Sequence, residues 1–360
     1  MRAFIFPGQG SQSVGMGVAL AAASPHAREV LQEVDDALGE KLSRLMAEGP
    51  DSDLMLTENA QPAIMANAIA VLRVLEREGN IRLSEKADYV AGHSLGEYTA
   101  LCAAGALELA TTARLLKLRG RAMQAAVPVG EGAMAAILGA NRDTAQAIAD
   151  AAAEGEVCTV ANDNDPSQVV ISGTKAAIDR ALLIAKDMGA KRAILLPVSA
   201  PFHCPLMQPA ADAMEAALAD VALQTPLVPV FANVTAAPAS DPAVIKALLV
   251  EQVTGMVRWR ESVIAMFGAG VHDFVELGGK VLGPMVKRSA PDATTTSVVT
   301  MTTSRDCLRS SKIQWFARRR RDDVKDIDQI SGDVLDVARR SHRDLVAVRV
   351  FACSRELLDF

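Results

Sequence analysis

Short apolar runs set between long helical stretches organise this chain. Arg2-Ala3-Phe4-Ile5-Phe6 has the continuous apolarity of a strand covered on both faces, and Pro7-Gly8-Gln9-Gly10-Ser11-Gln12 ends it as a glycine-rich loop. Residues 25 to 85 are mostly helical in pattern, with Ser24-Pro25 and Thr57-Glu58-Asn59 as starts and Gly79-Asn80 as a stop. Asp88-Tyr89-Val90-Ala91 therefore predicts only the second strand of the chain. A helix from about 110 to 127 then stops at Pro128.

Beyond Pro128 the spacing changes. Strands are expected at 133–138, 157–161, 168–172 and 193–198, with helices at 143–153 and 176–188. This β-α-β-β-α-β order is that of a ferredoxin-like module, so residues 128 to 199 are expected to form an inserted small domain. Residues 1 to 127 and 200 to 301 then make a discontinuous large domain. Its second half predicts helices at 208–220, 242–253 and 258–268, strands at 229–232 and 273–277, and a closing strand at 296–299. The expected fold class is α/β: a hydrolase-like large domain with a short parallel sheet and a nucleophile elbow, plus the ferredoxin-like insertion. No internal repeat is visible.

Composition agrees with this and narrows the function. The 360 residues are 50% hydrophobic and only 4% aromatic, which favours many closely packed helices and few, short strands. The first apolar run is cut by Pro7-Gly8 too early for a signal segment, and no apolar stretch approaches the roughly 18 residues of a membrane span. Cys102, Cys158, Cys204, Cys307 and Cys353 form no C-x-x-C pair, so neither a disulfide framework nor a metal site is expected. A cytoplasmic protein without membrane attachment is expected.

The net charge of -6 hides a break. Residues 302 to 360 carry +3 and hold 11 arginines, among them Arg318-Arg319-Arg320-Arg321, which leaves -9 on residues 1 to 301. An acidic body excludes electrostatic nucleic-acid binding. The atypical Arg-rich tail is either a basic arm for an acidic partner or a solvated extension. The second is favoured, because the body is complete without it, and an altered reading frame or a fused segment is its expected origin.

The chemistry centres on Gly92-His93-Ser94-Leu95-Gly96, directly after the second strand and before a helix that opens at Glu97-Tyr98. A G-x-S-x-G pentapeptide in that setting presents its serine on a strained turn, facing free N–H groups of the following helix. Chance matches to the pentapeptide are common, so Ser94 also needs a base. Of His26, His93, His203, His272 and His342, His203 follows a strand in the proline-restrained Ala200-Pro201-Phe202-His203-Cys204-Pro205 and leads the candidates; His272 remains open.

Five segments in order carry a resemblance: residues 6–12, residues 92–98, Arg119-Gly120-Arg121-Ala122-Met123-Gln124, Ala200-Pro201-Phe202-His203, and Glu276-Leu277-Gly278-Gly279-Lys280-Val281-Leu282. Together they resemble the malonyl-CoA:acyl carrier protein transacylase family over about residues 1 to 301. The resemblance implies Ser94 as acyl-accepting nucleophile and His203 as general base and acid. It implies an oxyanion hole from the amides of Gln9 and Leu95, and a main-chain carbonyl, that of Gln252, in place of a triad acid. Arg119 corresponds to the arginine that binds the malonyl carboxylate; without the resemblance Arg114 and Arg121 are equal candidates. Phe202 resembles the malonyl-selective form of its loop, and Asn162 matches a position lining the interdomain cleft.

Implied with it are malonyl-CoA and acyl carrier protein as partners, a monomer, and no cofactor, since CoA and phosphopantetheine thioesters are substrates. Lys280, Lys287 and Arg288 are expected to offer a basic patch to the acidic carrier. The rival enzyme class is a serine thioesterase or esterase using the same Ser94 and His203, and a third reading is an inactive scaffold. Family members end in a short helix after the last strand, whereas this chain turns Arg-rich at about Thr302.

Overall fold

The computed structural model describes residues 1–300 together with Thr303 and Ser304, and these belong to one compact unit, Met1–Leu308. Its strands are β1 (Arg2–Phe6), β2 (Tyr89–Gly92), β3 (Gly132–Leu138), β4 (Cys158–Asp165), β5 (Gln168–Thr174), β6 (Arg192–Leu195), β7 (Val230–Ala232), β8 (Ala237–Ala239), β9 (Asp273–Leu277) and β10 (Thr294–Val298). They form a six-stranded sheet in the order β10-β9-β1-β2-β7-β8 and a four-stranded sheet in the order β4-β5-β3-β6. The class is α/β, with a mixed larger sheet and an antiparallel smaller one.

β1 lies at the centre of the larger sheet, parallel to both β2 and β9. Its unbroken apolarity has a direct cause. Phe4 and Phe6 enter a core shared with the helices Thr57–Arg77 and Leu109–Ala126, while Ala3 and Ile5 enter a second core with Trp259 and Phe274. A strand covered on both faces has no polar side to show. The pattern predicts a parallel sheet, but the sheet is not wholly parallel: β7 turns back into β8 antiparallel. Ala237-Pro238-Ala239 has no period-2 signal and carries a proline, which an edge strand tolerates because one side of its ladder is unused.

In the smaller sheet every pairing is antiparallel, and Ile137, Ile148, Ile171 and Ile178 form a separate core. β6 stops at Leu195 rather than running to 198, and Leu196, Pro197 and Val198 line a cleft instead. β4 is bulged twice, between Val160 and Asn162 and between Asp163 and Asp165. Bulges re-aim side chains, and here they turn a strand of the small sheet towards the larger one. Val257 N–H donates to the Ala161 carbonyl and Asp163 N–H to that of Val257, both at 2.9 Å. The fully buried carboxylates of Asp163 and Asp165 pair with Arg260 at 2.8 Å and Arg288 at 2.7 Å.

The body extends past the expected boundary at 301. Ser304 is buried, and its N–H donates to the Thr300 carbonyl at 2.8 Å. The arginine block 318–321, His342, Cys307 and Cys353 lie outside the described residues.

Candidate active site

Ser94 stands between β2 and the helix Gly96–Ala103 with φ +54°, a left-handed conformation that a non-glycine residue holds only when its surroundings enforce it. The flanking glycines explain the enforcement. A Cβ on Gly92 would lie 1.9 Å from Gly96 C, and one on Gly96 would lie 2.3 Å from the Phe6 carbonyl oxygen. Behind the turn, the Ser94 N–H donates to Asn233 Oδ1 at 2.7 Å and Asn233 Nδ2 donates to the Gly92 carbonyl at 2.7 Å. One side-chain amide thus bridges the backbone on both sides of the serine.

His203 also has a left-handed backbone, φ +56°, in a loop wedged by Pro201 against Gly132 of β3. Its Nε2 lies 2.7 Å from Ser94 Oγ and its Nδ1 2.9 Å from the Gln252 carbonyl oxygen. A carbonyl only accepts, so Nδ1 carries the proton and Nε2 is free to take one from Ser94. Burial, and then the nearby Arg119 cation, push the His203 imidazole down to about 3, which keeps it neutral. Among the other histidines, His93 turns away from Ser94 Oγ and meets Asn164 Oδ1 at 2.8 Å; His26 faces Glu29, and His272 is exposed against Phe267.

Arg119 is 1% exposed, and its guanidinium is held from three sides. Nη1 donates to Gln61 Oε1 at 2.8 Å, while Nη2 donates to Gln252 Oε1 at 2.9 Å and to Ser94 Oγ at 3.2 Å. Nε has no partner. Burial lowers the Arg119 value from its ordinary range, yet arginine remains a cation there. The geometry separates it from its rivals. Arg121 is exposed and paired with Glu58 and Glu40, and exposed Arg114 reaches, among the described residues, only Thr111.

Ser94, His203 and Arg119 open onto a cleft of ≈ 240 Å³ that Gln9, Leu95, Asn162 and Phe202 also line. Among the described residues no acceptor pairs with the N–H of Gln9 or of Leu95. The Gln9 side chain accepts from Thr57 Oγ1 at 3.1 Å. Gln252 contributes more than the carbonyl expected of it. Its Nε2 donates to Glu97 Oε2 at 2.7 Å and to the Ser94 carbonyl at 3.1 Å.

Three residues at this site carry no distinct sequence signal of their role: Gln61, Glu97 and Asn233. Asn233 follows β7 as an ordinary turn residue, and its partners are backbone groups that no local motif encodes. Glu97 reads as a first-turn acid of a helix, but it is buried, accepting from the Asn233 N–H at 3.0 Å and from Gln252. Burial raises its carboxyl to about 7 against these donors and the Arg119 charge. Gln61, Glu97 and Asn233 lie on three separate segments of the chain, and only the fold brings their buried polar side chains together.

Among the described residues, no group of three or more His, Cys, Asp or Glu side chains is placed to hold a metal ion, and no helix is long and apolar enough to cross a membrane. A family model described as acyl transferase domain matches residues 3–293. This chain belongs to that family. Within the acyl transferase family it is 45% identical over 288 residues to the malonyl CoA-acyl carrier protein transacylase of Bacillus subtilis, covering 79% of this chain and 89% of the relative. The acyl-carrier-protein-S-malonyltransferase of Bartonella henselae superposes with a TM-score of 0.84 at 51% identity, over 86% of this chain and 99% of that one. A malonyl-transacylase in complex with its type II PKS acyl-carrier protein superposes with a TM-score of 0.83 at 38% identity, over 86% and 99% of the two chains.

Proposed function

We propose that this acyltransferase moves the malonyl group from malonyl-CoA to the phosphopantetheine thiol of acyl carrier protein through a malonyl-Ser94 ester. One observation carries the choice of acyl group: the buried Arg119 guanidinium donates to Ser94 Oγ at 3.2 Å, so a fixed cation stands beside the nucleophile. A carboxylate within one acyl chain's reach of the reacting carbonyl satisfies that cation, and its planar fork suits paired charge-assisted hydrogen bonds. An acetyl group offers it nothing.

The steps follow from the positions. His203 Nε2 removes the Ser94 proton as Oγ attacks the thioester carbon; the developing oxyanion meets the Gln9 and Leu95 amides, whose positions need no rearrangement. The C–S bond breaks, the proton on His203 passes to the CoA sulfur, and malonyl-Ser94 remains. The carrier thiol then loses its proton to His203 and attacks the ester carbon; the bond from that carbon to Ser94 Oγ breaks, and the proton on His203 returns to Oγ. The Gln252 carbonyl orients His203 without a negative charge, which serves because a thioester is more activated than an amide. Phe202 crowds a 2-methyl branch, and Asn162 lines the acyl path.

No cofactor is required in this scheme, because CoA and phosphopantetheine enter as substrates. For the carrier, Lys280, Lys287 and Arg288 are exposed basic residues at and near the helix Leu282–Ser289, and Arg288 also pairs with Asp165. We read the small antiparallel sheet, order β4-β5-β3-β6, as a ferredoxin-like domain inserted into a hydrolase-like one, residues 128–199 within 1–127 and 200–301. We read the protein as a cytoplasmic monomer. Incubation with labelled malonyl-CoA and holo carrier protein tests the function: label is expected on Ser94 and then on the carrier, whereas free malonate without labelled carrier would establish a thioesterase.

A further inference from the structure

The last four residues of β4, all polar, stay paired with β5 and carry side chains that reach the cleft and the elements around the larger sheet. Asn162 lines the cleft, Asp163 meets Arg260, Asp165 meets Arg288, and Asn164 meets His93, the residue before the nucleophile. The first three have evident uses as substrate wall and buried ion pairs. Asn164 does not, since its partner belongs to the catalytic turn.

His93 sits between the two segments that supply the free amides. Its own backbone leads into Ser94 and Leu95, and its N–H donates to the Phe6 carbonyl at 3.0 Å. On the other side Gly8 packs against it so closely that a Cβ there would lie 3.0 Å from His93 Nδ1 and 2.7 Å from the His93 carbonyl oxygen. Gly8 leads directly into Gln9. The ring also leans on Trp259, with centroids 5.8 Å apart. Asn164 Oδ1 only accepts, so the 2.8 Å bond uses Nε2–H and turns the bare Nδ1 towards Gly8. The imidazole is therefore a spacer between the Gln9 loop and the Leu95 turn, and its outer end is pinned by the inserted sheet.

We propose that Asn164 is a positioning residue for acyl transfer, fixing through His93 the separation of the Gln9 and Leu95 amides. The inference rests on the oxyanion role given to those amides in the proposed function. Two donors aimed at a charge that exists only in the transition state contribute to kcat and not to ground-state binding. Loss of the pin therefore has a kinetic signature that a merely structural residue lacks.

The test is steady-state malonyl transfer by the full chain. Asn164→Ala is expected to lower kcat about tenfold, as small misplacements of catalytic groups do, while KM for malonyl-CoA stays within about twofold. Asn164→Asp keeps an acceptor and is expected to recover most of kcat; Asn164→Leu, which fills the space without an acceptor, repeats the test if the alanine variant does not fold. Asp165→Asn, which cuts a neighbouring tie of the same strand without touching His93, is expected to retain kcat. Equal losses in Asn164→Ala and Asp165→Asn, a rise in KM in place of the fall in kcat, or an unchanged kcat would overturn the inference. Absence of transfer by the unmodified protein would instead remove the functional reading, and this inference with it.

Discussion

Arg119 shows how far one side chain's surroundings decide its chemistry. It lies on a helix with Arg114 and Arg121 nearby in sequence, and residue type alone does not rank them. Of the three, only Arg119 is stripped of water and held by Gln61 and Gln252, with Nη2 directed at Ser94 Oγ. Arg119→Lys keeps a charge and loses the fork, and malonylation of Ser94 is expected to fall by about 2–3 kcal/mol in kcat/KM, read by single-turnover labelling. His203 gives a pH prediction. Because its folded value lies near 3, below the ordinary 6.5, the base stays neutral and acylation is expected to hold level as pH falls from 7 to about 4.5. An acid limb with an apparent pKa of 6 to 7 in kcat/KM would contradict that assignment.

Asn233 is the counterpart at this scale, a residue whose importance is invisible in sequence. Ser94 and His203 could be read because a pentapeptide and a proline-bounded loop are local. Asn233 acts on backbone 139 and 141 positions away. Asn233→Ala leaves the Ser94 N–H and the Gly92 carbonyl without their partner, and a loss of about 1–3 kcal/mol in stability is expected by denaturant titration, together with slower acylation.

At the scale of elements, most strands and helices were legible because each has one face or both faces against a core. β1 is apolar throughout since helices cover it on both sides, and the β3–β6 segment shows its order through regular spacing. What was lost had no pattern to carry it: three-residue β8 around Pro238, and the end of β6, where Leu196 to Val198 are apolar because they line the cleft and not because they continue the strand. The helix Gly96–Ala103 adds a titration. Glu97 on its first turn has a folded value near 7 against an ordinary 4.5, so it holds its proton longer folded than unfolded. Its contribution is present below about pH 4.5 and is lost as pH rises through 7, while that of His203, whose value is depressed, is present above 6.5 and is lost as pH falls towards 3. Glu97→Gln reproduces the protonated shape, and it is expected to raise the melting temperature at pH 8 relative to the parent while changing it little at pH 5, as followed by thermal melts.

For the whole molecule, the two sheets meet along β4, and that strand was predicted only as a short run ending at 161. Its last four residues were opaque as strand because Asn-Asp-Asn-Asp reads as a turn; they extend because Arg260, Arg288 and His93 take up their side chains. The compact unit ends at Leu308 and contains every residue assigned to the site. Cutting the chain after Leu308 is therefore expected to leave malonyl transfer within about twofold, whereas cutting before Thr300 removes the carbonyl that receives the Ser304 N–H and is expected to lower thermal stability.

The 3.2 Å approach of Arg119 to Ser94 also bears on selective inhibition. Serine-directed warheads ordinarily discriminate poorly, because most serine enzymes offer them the same nucleophile and amide pair. An electrophile carrying an anion two bonds from the attacked carbon would find its counter-charge already in place here and would meet none in a hydrolase whose acyl pocket is neutral.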